Sequence, residues 1–120
     1  MWYSLVEIKK TAVNELTARV TTDDDSPWFF GHFPGDPILP GIAQLEMIAD
    51  LIAASREDKP CMTGLSRVKF KKIVRPGELL DIHAACGNKK DYYAFRISSG
   101  DEEVCSGMMR FAQTITIAKL

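Results

Sequence analysis

Apolar and polar positions alternate early in the chain. In "LTARVTT" (16–22), Leu16, Ala18 and Val20 are separated by polar residues, the period of a half-buried strand. "WYSLVEIKK" (2–10) supplies a second strand across the turn-like "AVNE". "DDDSPW" breaks the pattern and opens a long loop that is stiff rather than floppy, because four of the six prolines lie between residues 27 and 40. From Pro40 to about Glu57 the chain is apolar or small except at Gln44, Glu46 and Asp50 until near its end, and is rich in helix formers. A helix apolar almost all round belongs in the middle of a fold.

After "DKPCMTG" the period returns to two. "LSRVKFKKIV", a Pro76-Gly77 turn, "ELLDIHAAC", "GNKKD", "YYAFRISS", "GDEE" and "VCSGMMRFAQTITI" follow one another as strands and turns at hairpin spacing. Tyr93, Phe95 and Ile97 alternate as Leu16 to Val20 do. One central helix with five or six antiparallel strands is an α+β layout, and its simplest geometry wraps the sheet around the helix.

Composition narrows the function classes. A chain of 120 residues, 46% hydrophobic and 26% charged, suits one domain spanning 1–120 with a single core. The net charge of −1 gives no nucleic-acid footprint. No apolar run approaches the ~18 residues of a membrane span, and the N-terminus has no secretory pattern. Cys61, Cys86 and Cys105 form no C-x-x-C pair, and His32 and His83 lie far apart. This spacing argues against a metal site and for small buried thiols in a reduced, cytoplasmic setting. His83, in "DIHAAC", reads as structural.

The densest chemistry lies in "GHFPGDPILPGIAQLE" (31–46). Pro40 suits the first helical position, where its missing amide costs nothing. Gly41 would then present a free amide at the positive end of the helix, without a side chain to block a ligand. Such a place holds an oxygen that gains negative charge; the same pair also simply starts a helix. Glu46, a turn and a half further in, shares a face with Ile42 and Ala49, and Asp50 follows one turn later. A half-buried carboxyl there has the raised pKa a general acid needs, whereas an exposed one belongs to a solvated face. Pro34 holds the chain after His32 extended, and His32 suits a positioned base or a structural histidine. Together these groups suggest proton abstraction beside a carbonyl, with an acid to expel a leaving group.

The stretch resembles the β-hydroxyacyl-acyl-carrier-protein dehydratases of the FabZ type, with FabA as a cousin. Their motif is G-H-F-P, two residues, P, two residues, P-G, four residues and the acid. It is met by Gly31-His32-Phe33-Pro34, Pro37, Pro40-Gly41 and Glu46. Similarity continues through "RVKFKKIVRPGELL" and covers roughly residues 5 to 113. The resemblance implies a hotdog fold with a long central helix, paired as a homodimer, and in FabZ relatives often assembled further into hexamers. It implies a site at the dimer interface where the histidine of one subunit faces the acid of the other. Carried over, His32 takes the α-proton of a 3-hydroxyacyl thioester, Glu46 protonates the departing hydroxyl, and the Gly41 amide holds the thioester oxygen. No metal or redox cofactor is implied. FabA carries aspartate at the acid position, so Glu46 favours simple dehydration. Asp50 stands where the family usually has glutamine, and an L-P-H-R-x-P-like segment before the motif is missing. "PILPGIAQLE" is also similar to dehydratases of specialised pathways such as aryl-polyene synthesis.

Arg67, Lys69, Lys71, Lys72 and Arg75 gather five cations in nine residues. On a strand, Arg67, Lys69 and Lys71 would share one face and could steer an acidic acyl carrier protein, or form a solvated or guarded edge. Phe29, Phe30, Phe33, Ile38, Leu39 and Trp28 surround the motif as candidates for an acyl tunnel; Phe33, Pro40, Phe30 and Leu39 are the expected substrate contacts. Two other functions fit the same residues: a hotdog thioesterase, and a non-catalytic acyl-binding partner subunit. Product mass, or its absence, separates the three.

Overall fold

The computed structural model describes residues 2–12, 14–23, 25–29 and 35–113. Six strands and one α-helix follow in the order β1 (Tyr3–Ala12), β2 (Glu15–Thr22), a short 3-10 turn (Pro27–Phe29), α1 (Gly41–Ala54), β3 (Cys61–Phe70), β4 (Leu80–Cys86), β5 (Tyr92–Ser99) and β6 (Glu102–Ala112). The strands form one sheet ordered β1-β2-β4-β5-β6-β3, every neighbour antiparallel. This is the hotdog layout.

The core lies where the helix meets the inner face of the sheet. Leu16, Ala18 and Val20 from β2, Leu80, Ile82 and Ala84 from β4, and Tyr93, Phe95 and Ile97 from β5 are buried, their sequence neighbours facing outward. The helix answers with Ala43, Leu45, Met47, Ile48, Leu51 and Ile52. The alternation seen in the sequence is therefore the inward face of the sheet.

Several boundaries differ from the expectation. The helix stops at Ala54 rather than near Glu57, because Ser55 closes it: its amide returns to Leu51 and Ile52 and its hydroxyl donates to the Ile52 carbonyl at 2.7 Å. Arg56 then turns away, held by Asp58 and Asp91. Pro40 is not the first helical residue but the cap before it, with an extended ψ of 151° and a carbonyl accepting the amides of Ala43 and Gln44. β3 begins at Cys61, within the expected loop, since Cys61 and Met62 pair with Ala112 and Phe111. It ends at Phe70, after which Lys71 and Lys72 turn back onto the Val104 carbonyl.

No helix among the described residues is long and apolar enough to cross a membrane.

Candidate active site

The start of α1 places the first pair of groups. Among the described residues, no backbone acceptor meets the Gly41 amide, as expected of the first helical turn. Leu39 is tied by its amide to the Val74 carbonyl at 2.8 Å, and this anchors the approach to the helix on the loop after β3. Gly41 is crowded by a neighbouring ring. A β-carbon there would lie 2.6 Å from Cζ of Phe70, whose ring at the end of β3 is half exposed. Gly41→Val is therefore expected to displace the ring or the helix start, costing about 1–3 kcal/mol. Chemical denaturation of Gly41→Val and of Gly41→Val/Phe70→Ala checks this; the second change should restore part of the loss.

Glu46 lies five residues further on, about 7.5 Å along the axis. In the single chain it is exposed, not half-buried. The reason is the shape of the sheet: it covers the side of α1 that carries Met47, Ile48 and Ile52 and leaves open a stripe of Ile42, Glu46 and Asp50. Ile42 at 63% exposure is an apolar residue with no cover in one chain. Partial desolvation pushes the Asp50 carboxyl above its ordinary range. Tyr3 borders the stripe: it is buried, and burial together with the charges of Asp50 and Glu46 pushes its phenol up to about 12. Its ring packs edge-on against Trp2 at 4.9 Å, and Trp2 in turn against Trp28 at 6.0 Å.

The remaining expected residues fall into three groups. His32, Phe33 and Phe30 lie outside the described residues. Pro40 is half-buried, whereas Leu39 at 1% exposure and Phe29 at 6% belong to the core, so neither opens onto a tunnel in this chain. Arg67, Lys69 and Lys71 do not share one strand face. Arg67 has φ 55° at the register shift between Ser66 and Lys69, and such a bulge breaks the alternation. Lys71 lies beyond the strand and pairs with Glu103, Lys72 pairs with Glu78 at 2.9 Å, and Arg75 holds Asp36 through two nitrogens. Three of the five charges are thus neutralised within the chain.

Sequence reasoning missed Phe70 and Tyr3 as neighbours of the helix. Their signals, an aromatic amid lysines and an aromatic opening the first strand, do not specify a partner in the fold. Among the described residues, no three His, Cys, Asp or Glu side chains gather to hold a metal ion. A cleft of about 320 Å³ opens at the other end of α1, beside Ser55, Arg56 and Cys86. There Arg56 is committed to two aspartates, and neither Gly41 nor Glu46 lines the cleft.

The family model for ApeI-like proteins, described as ApeI dehydratase, matches residues 8–108. A 3-hydroxyacyl-[acyl-carrier-protein] dehydratase FabZ from Caldicellulosiruptor saccharolyticus is 33% identical, over 90% of this chain and 83% of its own. The protein of the same name from Legionella pneumophila is 31% identical over 85% and 69%. Among solved structures, the dehydratase heterocomplex ApeI:P from Xenorhabdus doucetiae superposes with a TM-score of 0.80 at 26% identity, over 94% of this chain and all of that one.

Proposed function

The chain belongs to the ApeI-like dehydratase family, and from that premise we propose that it removes water from a 3-hydroxyacyl thioester carried on acyl carrier protein, giving the trans-2-enoyl thioester. His32 takes the α-proton and the C–H electron pair forms the new double bond. The β-hydroxyl leaves with a proton from Glu46 as water, and the Gly41 amide holds the thioester oxygen while it carries negative charge. The reaction needs an acid, a base and an oxyanion donor around one substrate.

The observation that carries this reading is the open stripe. Glu46 stands, at the motif's interval, on the one side of α1 that the sheet leaves uncovered, about 7.5 Å along the helix from the Gly41 amide, which meets no backbone acceptor among the described residues. A second copy of the chain would cover that stripe and bring its own His32 to face Glu46. β3 is an edge strand with Met62, Leu65 and Phe70 exposed, and an apolar edge of this kind invites pairing with another chain. The working unit is therefore a homodimer joined along β3. The thiols of Cys86 and Cys105 suit the reducing cytoplasm.

Mass spectrometry of 3-hydroxyacyl carrier protein, loaded with several chain lengths and incubated with the enzyme, tests the reaction. Loss of one water from the intact acyl carrier is expected. Release of free hydroxy acid would instead make it a thioesterase, and an unchanged mass at every length would sink the dehydratase reading.

A further inference from the structure

The outer face of the sheet divides into two halves of different charge. On β5 the inward Tyr93, Phe95 and Ile97 send Tyr92, Ala94 and Arg96 to the outer face. Register carries this face across β6 and β3 in rows. Arg96, Ser106 and Lys69 form the first, Ala94, Met108 and Ser66 the second, and Tyr92, Arg110 and Gly64 the third. Two cationic rows thus flank a small, apolar one. Gly64, Ser66 and Ala94 have little bulk, and a groove of about 320 Å³ runs beside Met108, Tyr92 and Arg110. Lys89 lies over the Tyr92 ring at 4.2 Å and adds its charge to the third row. Arg110, and behind it Lys89, hold the Tyr92 phenol below its ordinary range.

The other half of the same face is balanced. Glu7 pairs with Lys9, Arg19 with Asp81, and His83 with Glu15, all within 3.0 Å. On the β5-β6-β3 half Glu103, opposite Ser98, is engaged by Lys71, and the exposed Glu102 stands at the end of β6, opposite Ser99. Arg96, Lys69 and Arg110 are exposed there; among the described residues no salt bridge to a carboxylate holds them, although Arg96 and Lys69 share the field of Glu103 and Arg110 donates to the Thr63 hydroxyl at 3.1 Å.

We propose that the outer face of β5, β6 and β3 docks an acidic helix of the acyl carrier protein. The proposal rests on the carrier-bound substrate of the preceding reading and moves its docking surface away from Lys71, Lys72 and Arg75, whose charges are already spent. Ser106 and Arg110 are four residues apart, so the cationic rows are about 14 Å apart. That distance matches about two and a half turns of α-helix. Carboxylates at the two ends of such a helix meet Arg96 with Lys69 and Arg110 with Lys89, while an apolar side chain between them seats on Met108. Exposed surface charge of this kind acts mainly on encounter and orientation.

The test compares wild type, Arg96→Glu/Lys69→Glu, and Lys9→Glu on the balanced half. Affinity for fluorescently labelled holo-acyl carrier protein, read by anisotropy, is expected to fall about tenfold or more in the double variant and to hold within about twofold in Lys9→Glu. With 3-hydroxyacyl carrier protein, kcat/KM should fall in parallel, while a short N-acetylcysteamine thioester is turned over as by wild type. Equal affinity in all three proteins, no carrier binding by wild type, or equal loss on both substrates would overturn the docking surface. Carrier binding that depends on Arg96 and Lys69 without loss of water would sustain the surface and overturn the dehydratase reading. Self-association by wild type that the double variant abolishes, with carrier affinity unchanged, would assign the face to a second copy.

Discussion

Replacing Glu46 with glutamine is expected to lower kcat by about 10²–10⁴-fold, the usual worth of a positioned general acid, without unfolding the protein. Glutamine keeps the shape and hydrogen-bonding reach of glutamate but has no proton to give to a leaving hydroxyl. The stripe on which Glu46 stands is exposed in the single chain, so the change removes no core contact. The thermal midpoint should therefore remain near that of wild type. His32→Ala should produce a loss of the same scale, and the double variant little more than either alone, because acid and base act on one elimination. Mixing the two single variants is the sharper measurement. If the base of one subunit faces the acid of the other, a mixed dimer contains one intact site and regains activity. Absence of any regain, in mixtures shown to exchange subunits, would place both groups in one chain. Full activity of Glu46→Gln would remove the acid from the mechanism.

Charge placed on the free edge of the sheet should have an effect as large by a different route. Leu65→Asp is expected to give a folded monomer whose activity is reduced by about 10²-fold or more, since each lone chain would lack the opposing subunit's group. β3 contributes Met62, Leu65 and Phe70 at 38%, 40% and 51% exposure. Paired to β6 on one side only, it has a row of backbone groups open on the other. A carboxylate beside that row would have to be desolvated on pairing, which is costly for an unpaired charge. Sedimentation velocity reads the oligomeric state and circular dichroism the fold. A wild type that sediments as a monomer, or a monomeric Leu65→Asp with full turnover, would reject the shared site.

The ApeI-like match and the FabZ relatives agree with the sequence motif, and the structure adds where Pro40, Gly41 and Glu46 stand. Gly41 illustrates this. Its place in Pro40-Gly41 is enough to suggest a free amide at a helix start, but the Phe70 ring that crowds it comes from a strand 29 positions later. Tyr3 likewise meets the charges of Glu46 and Asp50 only because the fold brings residues more than 40 positions apart close together.

What the sequence determined by itself is local. The alternation of Leu16, Ala18 and Val20 and of Tyr93, Phe95 and Ile97 defined the inward face, since a period of two follows from the pleat of a single strand. The apolar run after Pro40 defined the helix, and the spacing from His32 to Glu46 pointed to the family. What only tertiary structure decided depends on register and on partners distant along the chain. Arg75 finds Asp36, Lys71 finds Glu103 and Lys72 finds Glu78, so a run that looks basic in sequence is largely neutral in space. Arg96, Lys69 and Arg110 look unrelated in sequence, yet strand pairing gathers them on one face. The exposure of Glu46 has the same origin: helical period places it on a stripe, but the curvature of the sheet selects which stripe is left open. Periodicity is a property of neighbours, whereas charge balance and cover belong to the assembled sheet.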